Sequence, residues 1–241
     1  MRPIAAAGLV ALLLPTAAAS ALPLGHRGSV LVSGELNPHW SAVTIMPAVT
    51  RSTGVGPNVN WMEPDAGGKG GHRQELWSLL MLTQRLHRWN GDQYQANVWA
   101  GTGVGVLTVL PEQGRGGRHG GHHGGHGSHR RSSNDTENWA AWSPWVQGDW
   151  ETQRLYLAAS ARWFQAPDVG RLMTSARAGV ALTPADYDRW QPWLMLEANT
   201  MEDLQSGVEI TPMLRLLHRR LLAEAGVSTR GTVRVNLTYT F

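Results

Sequence analysis

The last ten residues of the chain, TVRVNLTYTF, alternate without a break. Val233, Val235, Leu237, Tyr239 and Phe241 share one face, and Thr232, Arg234, Asn236, Thr238 and Thr240 share the other. Successive side chains of a strand point to opposite faces, so a strict period of two is a strand with one apolar and one polar side. The pattern recurs upstream. Over 208–217, Glu209, Thr211, Met213 and Arg215 oppose Val208, Ile210, Pro212, Leu214 and Leu216. Over 191–199, Trp193, Met195, Glu197 and Asn199 oppose Leu194, Leu196 and Ala198. Over 171–182, Arg171, Met173, Ser175 and Arg177 oppose Leu172, Ala176, Val180 and Leu182. The stretches 154–163 and 94–106 behave alike, placing Arg154, Tyr156, Ser160 and Arg162, then Gln95, Asn97 and Trp99, on the polar side. Less regular alternation marks 41–52, 73–88, 139–151 and 221–230. The count is about ten strands, within a range of about eight to twelve, each near the ~9–11 residues that cross a bilayer when tilted.

A soluble sandwich also alternates, so the rest of the chain has to decide which face meets water. Arg2 precedes an apolar run from Ile4 to Leu14, Pro15 breaks it, and Ala19-Ser20-Ala21 follows. A basic start, a short apolar core and a small-residue site are the parts of a cleavable secretory signal. Residues 1–21 are therefore expected to be removed, leaving 22–241 as one domain. The run is too short for a spanning helix of about 20 residues. The chain has no cysteine, which excludes disulfides and thiolate metal sites. Its net charge of +3 comes from scattered arginines rather than a basic stripe, so nucleic acid is not expected as a partner. Among twelve tryptophans, Trp40, Trp89, Trp139, Trp142, Trp150, Trp163 and Trp190 fall near strand ends, where a membrane interface favours them.

VRVNLTYTF, closing on Phe241, resembles the terminal strand of bacterial outer-membrane β-barrels. The resemblance implies an all-β, transmembrane, antiparallel up-and-down barrel in the outer membrane. It also implies contact with lipid and lipopolysaccharide, and recognition by the barrel-assembly machinery. Short inner turns and long outer loops are the known asymmetry of such barrels. With Phe241 on the periplasmic side, Trp89–Gln93, Gly148–Gln153 and His218-Arg219-Arg220 become inner turns, and 53–72 and 107–138 become outer loops.

A barrel this narrow is filled largely by side chains. The inward set mixes signs: Arg154, Arg162, Arg171, Arg177, Arg215 and Arg234 against Asp149, Glu151, Glu197, Glu209 and Glu224. A lumen network of Arg162, Arg177, Glu197, Glu209, Arg215, Glu224 and Arg234 is expected, either as structural ion pairs or as a selective path for a small solute. Met173, Met195 and Met213 share that face; thioethers suit Cu(I) but also fill irregular interiors.

The most unusual stretch is RGGRHGGHHGGHGSHRR at 115–131, within a loop at about 109–137. His119, His122, His123, His126 and His129 are imidazole ligands of the type that suits copper, zinc or nickel, and a short His-rich tract is a compositional metal signal. Against this, Arg115, Arg118, Arg130 and Arg131 repel a cation, and glycine makes ordering expensive. The expectation is surface capture or sensing of these ions at modest affinity, with no required cofactor. The alternatives are a structural barrel or a narrow channel with the loop incidental, or a loop that becomes cationic when its histidines charge and lies on lipopolysaccharide. The layout is also similar, in outline, to small barrels of metal-responsive gene clusters in Gram-negative bacteria. No G-x-S-x-G or H-E-x-x-H motif occurs, and His26, His39, His72, His87 and His218 do not assemble with a nucleophile, so an enzyme is not expected.

Overall fold

A computed structural model describes residues 26–37, 39–63, 74–110, 136–184, 186 and 188–241. Residues 1–21, expected to be a cleavable signal, and the five loop histidines lie outside the described residues. Twelve antiparallel strands close into one barrel. The first six are β1 (Val30–Asn37), β2 (Trp40–Pro47), β3 (Thr53–Met62), β4 (Glu75–Asn90), β5 (Tyr94–Val109) and β6 (Glu137–Thr152). They are followed by β7 (Leu155–Ala166), β8 (Val169–Ala181), β9 (Gln191–Met201), β10 (Glu209–His218), β11 (Leu221–Val227) and β12 (Val233–Thr240). Each strand pairs with its sequence neighbours, and β1 pairs β12 from Leu31↔Thr240 to Leu36↔Val235. Closure leaves no unpaired edge, the condition for spanning a bilayer with strands.

Two strands are additional to the ten legible in the sequence. Residues 30–37 form β1, and the expected outer loop 53–72 is in its first half β3, paired along its length with β4. Thr53-Gly54-Val55-Gly56-Pro57 reads as a turn because it carries two glycines and a proline. The glycine is used differently. A Cβ at Gly56 would run into the Ile45 carbonyl of the neighbouring strand, so Gly56 permits a close approach inside the sheet.

The strands are strongly staggered. Stepping from Leu76 through register partners Trp61, Ser41, Leu36, Val235, Ala225, Leu214, Leu194 and Val180 leads to Leu155. Its neighbour Tyr156 pairs with Glu151, then Gln95, then Asn90, at the opposite end of β4 from Leu76. Such a stagger is the tilt of a closed barrel. At the end that carries Val30 and Thr240, the connections are 48–52, 91–93, 153–154, 182–190 and 219–220. The long connections 63–74 and 110–136 both belong to the opposite end, called here the loop end.

Alternation sorts the side chains. Leu80, Leu82, Val104, Val146, Leu157, Leu194, Leu196, Ile210, Leu214, Val235 and Leu237 are exposed on the outer surface. Asn58, Asn60, Gln95, Asn97, Asp149, Glu197, Glu209, Thr211, Arg215, Glu224 and Arg234 are buried on the inner one. An apolar outside and a polar inside is the inversion a bilayer demands. Aromatic residues border the belt: Trp89, Tyr94, Trp190, Tyr239 and Phe241 are exposed toward the terminal end, Trp142 and Trp163 toward the loop end. Two of the tryptophans expected in this girdle point inward instead. Trp40 and Trp139 pack against the buried apolar cluster inside the barrel, because each sits in the inward phase of its strand. Arg154, expected inside, is exposed in the turn between β6 and β7.

Candidate functional site

The inward faces of β1 and β8–β12 carry one continuous chain of alternating charges. Glu35 accepts from Arg234 (2.9 Å), Arg234 reaches Glu197 (3.0 Å), and Glu197 pairs with Arg177 (2.8 Å). Arg177 continues to Glu224 (3.3 Å), which holds Arg215 (2.6 Å). Three carboxylates thus alternate with three guanidiniums. Neutral groups take part of the remaining capacity: Ser175 donates to Glu197 (3.1 Å), and Asn236 donates to Glu224 (3.0 Å). With its amide carbonyl turned inward, Asn199 accepts from Arg234 (2.9 Å). Buried charges persist only when paired and hydrogen-bonded in this way.

Of the seven residues expected in the lumen network, the structure brings Arg177, Glu197, Arg215, Glu224 and Arg234 into this chain. Glu209 stands apart; its carboxylate accepts from the Thr232 hydroxyl near the loop end. Arg162 also stands apart. Its Nε donates to Ser143 Oγ (2.9 Å), its Nη2 to Asn58 Oδ1 (2.8 Å), and its guanidinium lies 4.3 Å from the Phe164 ring centre. Asn58 is on β3 and Arg162 on β7, so this bond crosses the barrel. Glu35, Asn58 and Glu75 are the functional side chains that sequence reasoning missed. Glu35 and Asn58 sit on the two strands not recognised. The signal for Glu35 was present, since Leu31, Ser33, Glu35 and Asn37 alternate with Val30, Val32, Gly34 and Leu36.

The charged chain forms one wall of a chamber of about 240 Å³. Facing it are Arg162, Asn58, Thr44, Ser160 and the rings of Trp40 and Trp145. On β5, Gly101 and Gly103 face inward beneath two of the side chains that line the chamber, Trp145 and Met81. A Cβ at Gly101 would strike the Trp145 indole, and one at Gly103 would strike Met81. The same device recurs at Gly179 beneath Met195 and Gly226 beneath Met213. Met81, Met195 and Met213 are thus packed over glycines, which is the gap-filling use of a flexible thioether.

Toward the loop end the lumen is filled by an apolar plug. Met62, Trp77, Leu107, Phe164, Met201 and Leu204 are all buried there, with Trp77 and Phe164 edge-to-face at 5.2 Å. Across it Arg171 of β8 is bonded to Glu75 of β4, and Trp77 donates to the same carboxylate (3.1 Å). Toward the terminal end, Arg215 lies 4.6 Å from the centre of the Tyr156 ring, and Trp193, Met195 and Met213 pack with it. Beyond them Asp149 accepts from Asn97 (2.9 Å) and Trp99 (3.1 Å). Among the described residues, no group of three His, Cys, Asp or Glu side chains is placed to hold a metal ion.

A closed antiparallel barrel with a lipid-type outer belt, aromatic borders and an ion-paired interior is a membrane barrel of the bacterial outer-membrane class. No family model matches the chain, and no curated protein sequence does. Among solved structures it is similar to the KdgM porin, at 11% identity over 88% of this chain and 99% of that one, with a TM-score of 0.44. The KdgM porin in complex with disordered oligogalacturonate gives 10% identity, 88% and 98% coverage, and 0.44. A loop L8 deletion mutant of OmpT, an outer membrane protein of Vibrio cholerae, gives 8%, 89% and 97%, and 0.29. Identities of this order speak to the fold alone.

Proposed function

We propose that the protein is a narrow, non-enzymatic conduit of the outer membrane for small polar solutes, shut in this conformation at its loop end. The observation that carries this reading is the chamber itself. A purely structural barrel of this width can be filled with side chains throughout. Here a chamber of about 240 Å³ stays open between a charged wall and a polar one, and the larger of the two apolar clusters in the lumen fills the loop end. The carboxylates and guanidiniums of the charged wall are paired with one another, which leaves it polar without an excess of either sign strong enough to trap a solute, as conduction requires. In planar bilayers the full mature chain is expected to give small, infrequent openings. Trp77→Ala combined with Phe164→Ala removes the edge-to-face pair at the centre of the plug, and conductance and open fraction should both rise. A double variant that folds yet stays silent, like the parent, would sink the conduit.

The second reading concerns the 110–136 connection, which joins β5 to β6 at the loop end and carries His119, His122, His123, His126 and His129. Five imidazoles within eleven residues support capture of copper, zinc or nickel at the cell surface, facing lipopolysaccharide. Titration calorimetry of each metal into detergent-folded protein should show binding at roughly micromolar affinity. A variant lacking 115–131 should show none. Equal binding by both would remove the loop from consideration.

A further inference from the structure

The charges in the chamber do not cancel. Glu35–Arg234–Glu197–Arg177–Glu224–Arg215 is an alternating chain of three acids and three bases, and it is neutral as a unit. Arg162 faces it across the chamber and adds one positive charge. Among the described residues no carboxylate lies within ion-pairing distance of it. The carboxylate that reaches it electrostatically, Glu35, is already held by Arg234 at 2.9 Å. All its hydrogen-bond partners are neutral: Ser143, Asn58 and the Met81 thioether (3.5 Å). Its Nη1 makes no hydrogen bond among the described residues. A guanidinium cannot shed its charge in a protein, and an uncompensated cation away from bulk water is costly.

We propose that Arg162 anchors a site in the chamber for one small carboxylate anion. A guanidinium offers a planar fork of donors matched to the two oxygens of a carboxylate. Here the bonds from Nε to Ser143 and from Nη2 to Asn58 hold the plane in place, and Nη1 at the open edge is left to donate to a carboxylate oxygen. Hydroxyls of Thr44, Ser160 and Ser175 line the same space and complete a polar cradle. At about 240 Å³ the chamber has room for a small anion. The site deepens the conduit reading, since it names the solute class as small monoanionic carboxylates and rests on the chamber being reachable from water.

The test separates the two. Sodium acetate is titrated at constant ionic strength into the detergent-folded full chain, with binding read from the fluorescence of tryptophans such as Trp40 and Trp145, which line the chamber. Saturable binding is expected, weakened about tenfold to a hundredfold by Arg162→Gln and less by Arg162→Lys. Arg219→Gln, at an exposed turn and paired with Asp188, serves as a folded control and should bind as the parent does. In bilayers the reversal potential in a potassium acetate gradient should move toward cation preference in Arg162→Gln. Acetate binding without conductance would retain the site and discard the conduit. Absence of saturable binding in the parent, or equal binding by Arg162→Gln, overturns the site even if the barrel conducts.

Discussion

Replacing Glu197 by alanine is expected to destabilise the folded barrel by about 3–5 kcal/mol, the usual consequence of removing one partner from a buried ion pair. Glu197 is 2% exposed and is the central link of the charged chain, holding Arg177 on one side and Arg234 on the other. Its loss leaves both guanidiniums facing one carboxylate fewer. Arg177 keeps Glu224 and Arg234 keeps Glu35, so the barrel should still form. Glu197→Gln retains the volume and an acceptor for Ser175 but not the charge, and should fall between parent and alanine variant. The exposed pair Arg219–Asp188, at 3.1 Å with both side chains more than half exposed, is the internal standard. Asp188→Ala there should change stability by no more than about 1 kcal/mol. Urea titration of protein refolded into lipid vesicles, followed by tryptophan fluorescence, measures all three. If Glu197→Ala proves as mild as Asp188→Ala, the chain of ion pairs does not hold the strands together.

The wall that contains Glu197 was legible in the sequence because strands β8–β10 and β12 alternate cleanly, so that the phase of one residue fixes the phase of the rest. Arg177 and Glu197 could be placed inside the barrel without knowing that they are register partners. What the pattern could not supply was distance around the barrel. Arg171 and Glu75 belong to strands four apart, and nothing in their local sequence says that they meet across the loop end. The opposite wall was hidden for a different reason. Its strand β3 carries Gly54, Gly56 and Pro57, residues that punctuate turns, yet Gly56 serves there to let two backbones approach. With β3 read as a loop, Asn58 had no face, and Arg162 lost the partner that defines its orientation. Glu35 disappeared with β1 in the same way.

Tryptophan shows how far a bulk rule carries. Interfacial enrichment correctly places Trp89, Trp142, Trp163 and Trp190 on the outside. Strand phase overrides it for Trp40 and Trp139, and also sends Trp77, Trp99, Trp145 and Trp193 into the lumen. There the rings occupy volume, and three of their N–H groups serve the polar network: Trp99 donates to Asp149, Trp77 to Glu75 and Trp40 to Asn60. A lumen that uses indoles as filler gains from glycine beneath them, as Gly101 of β5 lies beneath the Trp145 indole.

Leu196→Arg should destabilise the barrel by about 2–4 kcal/mol in a bilayer, the range for a basic residue on the lipid face near mid-membrane. Leu196 is 51% exposed and lies beside Glu197 in the chain, but strand alternation points it outward, between its register partners Ala178 and Pro212. In water an exposed leucine replaced by arginine changes stability by no more than about 0.5 kcal/mol. The substitution therefore reads the solvent of the outer surface directly. The contrast is sharpest against Leu36→Arg: Leu36 is 61% exposed and next to the last residue of β1, where a long side chain can carry its charge to the interface. A cost that is large at Leu196, small at Leu36 and graded with depth between them is the signature of hydrocarbon against the belt. Equal and negligible costs at both positions would mean that the belt faces water, and that the polar lumen is the interior of a different kind of protein.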